Sequence, residues 1–269
     1  MSVLSHVRGS RELLVNLTLR EVRGKYKRTA LGQGWSLLNP LVQMTIFTVV
    51  FGVLIKVQPD PGNPSGLNQF ALWLVAGLLP WSFLANAVTS GMGSLISNAN
   101  LINKVYFPRE TLVLSSVFSW DVSFSIELAV LTVVLLIFGG SPLLFLPLVV
   151  VAVVLLTAFA LGIALALSVA NVYFRDTQHF MALFLQVWFY ATPIVYPYSY
   201  VQRNASPAVE TLYRLNPMER FVAVFRNLLW DNRLPALSDA VYVLAAAALT
   251  LVLGWAVFRR YEGRLAEEL

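Results

Sequence analysis

Two carboxylic acids, Asp121 and Glu127, sit inside an apolar run long enough to cross a bilayer. An acid in hydrocarbon is costly, and its natural chemistry there is proton transfer along a relay. Six residues are about 600° of helix, so the two side chains leave the axis about 120° apart and form no paired face. Ser125 lies one turn after Asp121 and Ser123 one turn before Glu127, so each acid has a local partner. The spacing favours a buried structural contact or a subunit contact over a relay. Other chemistries lack residues. With no cysteine there is no disulfide, thiolate nucleophile or Cys-ligated zinc, and His6 and His179 are too far apart in sequence to suggest a metal site. No G-x-x-x-x-G-K-[ST] phosphate loop, G-x-S-x-G, H-E-x-x-H or dinucleotide fingerprint occurs. The expectation is a chain without its own catalytic site, metal or cofactor.

The elements that hold these residues follow from composition. Of 269 residues, 58% are hydrophobic and 12% charged, against about 45–50% and about 25% in soluble domains. Mean hydropathy is +0.70. Too little polar surface exists to wrap a water-soluble globule, so the reading is an all-α membrane protein forming one transmembrane domain over residues 1–269. A hydrocarbon core of about 30 Å needs roughly 20 apolar residues. Six stretches meet this, at about 35–55, 70–90, 112–138, 143–170, 181–200 and 240–258. In the fifth, Pro193 and Pro197 end regular helix near Thr192. Six spans put both termini on one side. Thirteen Lys and Arg fall on that side and six on the other, which makes the termini cytoplasmic. The +5 charge therefore speaks of orientation, not nucleic acid. Residues 1–34 show no cleavable signal peptide.

The connections are informative. Residues 10–26 read as a basic interfacial helix, with Val15, Leu19, Val22 and Tyr26 on one stripe and Leu13 and Leu17 off it. Its Arg20, Arg23, Lys25, Lys27 and Arg28 would meet anionic headgroups. Residues 96–112 (ISNANLINKVYFPRETL) mix apolar and charged positions up to Pro108, which reads equally as a short cytoplasmic amphipathic helix for docking another subunit or as an ordinary membrane-surface turn. Residues 56–69 form a Pro/Gly/Asn-rich external loop. Residues 207–233 are too apolar for a loop and too charged for a span. They read as one or two re-entrant helices broken near Asn216-Pro217, with Phe221, Val224, Phe225 and Leu228 at helical spacing. Aromatics crowd Trp188, Phe189, Tyr190, Tyr196, Tyr198 and Tyr200, a density that suits a membrane interface and also sugar recognition.

Four blocks in order resemble the bacterial ABC type-2 permeases that export polysaccharides. RELLVNLTLREVRGKYKRTALGQGWSLLNPLVQMTIFTVVFG is similar to their N-terminal signature, and NKVYFPRE to their cytoplasmic coupling segment. NVYFRDTQHF with QVWFYATPIVYP resembles the link into span five. YRLNPMERFVAVFRNLLW resembles the external re-entrant pair. Val113 departs from the pattern, where a proline is expected.

The resemblance implies the membrane half of an ATP-driven exporter of lipid-linked glycan such as O-antigen, teichoic acid or galactan. It implies a homodimer in the inner membrane, joined to two copies of a separate ATP-binding subunit that holds the ATP and Mg, with a polyprenyl-linked glycan as cargo. Lys104, Val105, Tyr106, Phe107, Arg109 and Glu110 would meet the ATPase. Arg20, Arg23, Lys25, Tyr26, Lys27 and Arg28 would attract the carrier's pyrophosphate. Trp188, Tyr190, Tyr196 and Tyr198 would border the glycan path. Asn216, Pro217, Phe221 and Phe225 would belong to the outer gate. Rival readings are an ABC exporter of drugs or small lipids, a proton-coupled secondary transporter using Asp121 and Glu127, and a membrane-embedded glycan-modifying enzyme.

Overall fold

The computed structural model describes residues 3–25, 27, 29–32, 34–57, 61–105, 107–265 and 268. The side chains at 3–10, 36, 37, 39 and 40 are not among them. Tyr26, Arg28 and Tyr106, three of the residues given roles from sequence, lie outside the described residues. Among the described residues all regular structure is helical and no strand occurs. Helix α1 is Val3–Lys25. Helix α2 is Gly34–Phe47 and runs on as π-helix Thr48–Leu54, where the Ile55 amide reaches back to the Val50 carbonyl (3.0 Å). Then come α3 (Phe70–Ser97), the single turn α4 (Ala99–Ile102) and α5 (Glu110–Ile137). A 3₁₀ turn at Pro142–Phe145 leads into α6 (Leu146–Tyr173). The chain continues with α7 (Thr177–Tyr190), α8 (Tyr198–Asn204), α9 (Pro207–Arg214) and α10 (Pro217–Arg226), which ends in a π-helical turn, Asn227–Asp231. Last is α11 (Leu237–Tyr261).

Among the described residues, four helical segments are long and apolar enough to cross a membrane: Phe70–Ser97, Glu110–Ile137, Pro142–Tyr173 and Leu237–Arg264. They correspond to the second, third, fourth and sixth expected spans. At 1.5 Å per residue a 28-residue helix is about 42 Å long, so each overshoots the hydrocarbon. Helices α2 and α7 have 14 residues each. α2 gains length only through its π segment. α7 stops at Tyr190, two residues before the expected end, because Pro193 cannot continue it.

Helix α3 is the centre of the bundle, enclosed by α5, α6, α7 and α10, and 78% of its most apolar window is buried. The tightest crossing is α6 on α11. A Cβ added at Gly162 would stand 2.3 Å from the Thr250 backbone, and one at Gly254 would stand 1.9 Å from the Gly162 carbonyl oxygen. On the opposite flank of α6, a Cβ on Gly91 of α3 would meet Ala164 at 2.7 Å. In lipid the tails are as apolar as the side chains, so close packing over small residues replaces the hydrophobic drive as the force between helices.

The packing adds to one expectation and corrects another. In α1 the buried edge is Leu17, with Leu13 beside it, and α1 lies along α5. Val15 and Leu19 of the expected stripe are 49% and 44% exposed. The helix has two apolar edges, and periodicity alone does not tell which one meets protein. The cytoplasmic docking helix is also shorter than its sequence suggests. α3 continues to Ser97, leaving only the turn Ala99–Ile102 before an irregular stretch.

Replacing Gly162 or Gly254 by leucine forces the α6 and α11 backbones apart. The expected cost is about 3 kcal/mol, read as a lowered melting temperature in detergent. Gly93, with nothing within 4 Å of an added Cβ, accepts alanine with no loss.

Candidate functional site

At one end of the bundle α8, α9 and α10 fold back onto the ends of α3, α7 and α11. Pro217 occupies the first turn of α10, where a missing N–H is harmless. Asn216 precedes it and uses its whole amide. Its Oδ1 accepts from the Met218 amide (3.0 Å) and from the Trp188 indole (2.8 Å). Its Nδ2 donates to the Ala191 carbonyl (3.1 Å) and the Thr192 hydroxyl (3.0 Å). One side chain thus caps the start of α10 and the end of α7 together.

Ten residues later Arg226 makes the second tie. Its guanidinium lies 3.7 Å from the centre of the Trp73 ring and donates to the Pro193 and Ile194 carbonyls (2.7 Å each). Gly77 makes the room, since a Cβ there would stand 2.6 Å from Nη2. Burial pushes the Arg226 guanidinium down to about 9, with Asp231 and Glu219 opposing. Phe221 and Phe225, expected at a gate, are fully buried. Phe221 packs on Phe159 (5.3 Å between ring centres) and Phe225 on Phe124 (5.8 Å).

Between this layer and the head of α11 is a chamber of about 650 Å³. Ion pairs stand in and beside its wall. Arg214 pairs with Glu210 (2.8 Å), Arg233 with Asp231 (3.2 Å), and Arg220 with both Glu219 (3.2 Å) and Asp239. The Asn63 amide donates to Asp231 (3.1 Å) and Tyr242 Oη donates to the Leu215 carbonyl (2.7 Å). Burial pushes the Glu219 carboxyl up to about 7. Asp239 adds to the shift, while Arg220 opposes it.

The aromatics expected along a glycan path are divided by the fold. Tyr198 lines the chamber, its hydroxyl accepting from Arg214 Nε (3.2 Å). Tyr196 bonds to the Tyr190 carbonyl (2.6 Å) and shares a hydrogen bond with the Tyr213 hydroxyl (2.9 Å). Both contacts hold the tyrosine against the chain on either side of α8. The Trp188 N–H is committed to Asn216 and its ring lies against Trp81, Phe159 and Phe184. Tyr190 is 56% exposed.

At the opposite end, Arg109 and Glu110 meet the foot of α11. Arg109 donates to the Glu262 carbonyl. Arg259 lies 3.6 Å from Glu110 and 3.4 Å from Glu262. Glu110 is buried and Phe107 packs on the core, whereas Lys104 and Val105 face outward. Residues 102–105, Phe107 and Arg109 line a hollow of about 240 Å³. Arg20 of α1 reaches Asn98 (2.7 Å) at the end of α3, Arg23 and Lys27 are exposed, and the Lys25 amine sits 3.6 Å from the centre of the Trp120 ring. Burial pushes that amine down to about 7.

In the interior, Asp121 accepts from Thr157 of α6 (3.0 Å) rather than from a serine of its own helix. Glu127 faces an apolar cleft of about 410 Å³ among α2, α3 and α5. Sequence reasoning passed over Arg226, Trp73 and Asp239. The available signal was a lone arginine in an apolar 221–230 segment, with a glycine, Gly77, in the bulky LWLVAGLLPW half of α3.

A bundle of long apolar helices, a clasped loop at one end and a folded-back polar layer at the other define a helical membrane protein. Residues 12–230 match the ABC-2 type transporter family, and the chain belongs to it. It is 31% identical over 257 residues to the O-antigen export system permease protein RfbA of Myxococcus xanthus, covering 96% of this chain and 94% of that one. Identity to the RfbA permease of Klebsiella pneumoniae is 29%, covering 96% and 95%. Identity to the polysialic acid transport protein KpsM of Escherichia coli is 21%, covering 91% and 92%.

Arg226→Leu leaves two buried carbonyls without donors and is expected to cost about 3 kcal/mol. Limited proteolysis should show new cleavage within residues 193–205, and Arg226→Lys should recover only part of the loss. For Glu219, a folded-state value above 4.5 means that folding disfavours its ionised form. The wild type therefore loses stability as pH rises from about 4.5 to about 7. Glu219→Gln should match the wild type at pH 5 and melt higher at pH 8.

Proposed function

We propose that this chain is the membrane-spanning subunit of an ATP-driven polysaccharide exporter. The carrying observation is likeness along nearly the whole chain to permeases named for O-antigen export. On this reading α2 with its π extension and α7 complete six spans, both termini are cytoplasmic, and the chain sits in the bacterial inner membrane. Two copies form the conduit and two copies of an ATP-binding subunit, holding ATP and Mg, drive it. The cargo is glycan on a polyprenyl carrier. A single subunit with so little open interior suits a path formed between two copies.

The geometry supports a division of labour within the coupling segment. Lys104 and Val105 are the outward residues, so they meet the ATPase. Arg109 and Glu110 face α11, so they pass the displacement on. Helix α11 is held at its foot through Glu262 and Arg259, and at its head through Asp239–Arg220 and the Tyr242–Leu215 hydrogen bond. A push at the foot therefore reaches the folded-back helices along one rigid element. The basic residues of α1 lie at the lipid surface near the coupling end and draw the anionic head of the carrier toward the bundle.

The primary test is polysaccharide movement into proteoliposomes holding the permease and its ATPase. Export should stop with a hydrolysis-dead ATPase, and export that continues overturns the reading. Lys104→Glu with Val105→Asp should reduce co-purifying ATPase about tenfold at an unchanged melting temperature. Arg259→Ala should leave the ATPase bound but lower the glycan exported per ATP hydrolysed.

A further inference from the structure

The structure assigns the chamber among α8, α10 and α11 to binding of hydroxyl-rich saccharide, roughly two to three sugar units of a chain leaving the bundle. This assignment rests on the polysaccharide-export reading and gives it a place on each subunit. A volume of about 650 Å³ lies within the range of about 300–1,000 Å³ for pockets that hold small molecules.

The chemistry of the wall selects the ligand. Each guanidinium here stands beside a carboxylate: Arg214 with Glu210, Arg233 with Asp231, Arg220 with Glu219 and Asp239. The exception, Arg226, is committed to two carbonyls and a tryptophan face. The chamber therefore offers alternating acceptors and donors with little net charge. A vicinal diol matches that alternation, donating to a carboxylate and accepting from the neighbouring guanidinium through charge-assisted hydrogen bonds. An apolar ligand would strip water from these groups and leave them unpaired. A polyanion would find each open cation already neutralised. The carboxylates are held by guanidinium groups, so a metal ion would have to displace them.

Access is available. The Arg214 and Arg233 side chains keep 55% and 54% of their surface open, and Gln202 and Ser199 add uncharged hydrogen-bonding groups to the same wall. Tyr198 and Ala223 also line the chamber.

The test uses the full permease with its ATPase in lipid nanodiscs, titrated calorimetrically with maltotriose, trigalacturonate or tetraphenylphosphonium. Maltotriose should bind with a Kd of about 1 mM, trigalacturonate within about threefold of it, and tetraphenylphosphonium should not compete. Ala223→Trp, which fills the chamber, should abolish maltotriose binding. The milder pair Gln202→Ala with Ser199→Ala should weaken it about fivefold at an unchanged melting temperature. Wild-type affinity in both variants, tetraphenylphosphonium competition, or trigalacturonate binding tenfold tighter overturns the assignment. Failure of either saccharide to bind while the same complex exports polysaccharide removes this site and leaves the export reading standing. Maltotriose binding in a complex that moves no polysaccharide overturns the export reading alone.

Discussion

The folded-back layer depends on one constraint: backbone groups placed deep in a protein away from water must find partners. Pro193 ends α7 early, and the chain beyond it turns through Thr192 and Ile194, which are fully buried. The carbonyls of Pro193 and Ile194 have lost their helical donors, and the Arg226 guanidinium supplies replacements. Non-helical backbone at such depth is tolerated only where protein satisfies it. Asn216 performs the same service one turn earlier for Ala191. The position of α10, and with it the chamber, follows from these two side chains. The buried phenylalanines of α10 then fix its rotation.

Much of this was legible in the residues. Uninterrupted apolar runs located the long helices, because a charge-free stretch such as 143–170 has few alternatives at that length. The break before α10 was visible because Asn216-Pro217 is a cap followed by a first-turn proline. What failed was tertiary. Asp121 had Ser125 one turn away on its own helix, yet its partner is Thr157 on α6, a choice made by how two helices cross. α1 carries apolar residues on two edges. Where one edge meets protein and the other meets lipid, hydrophobicity no longer separates inside from outside.

The candidate site shows the same division. Lys104, Val105, Arg109 and Glu110 were recognisable as a group from their sequence block. Only the fold shows that the first two look outward while the last two hold the foot of α11. The chamber could not be read from sequence, because its wall draws on residues near 61–63, 198–202 and 214–239. The pairing of arginine with aspartate there is a product of the fold.

The first apolar helix contains a seven-residue π segment, Thr48–Leu54. Such a turn carries surplus chain relative to α geometry. Releasing one residue of that surplus would screw whatever lies beyond it by about 100° and advance it about 1.5 Å. α2 is thus threaded like a bolt with a slack turn. A small axial pull at either end can be answered by a discrete click of register, with the hydrogen bonds re-formed one residue along.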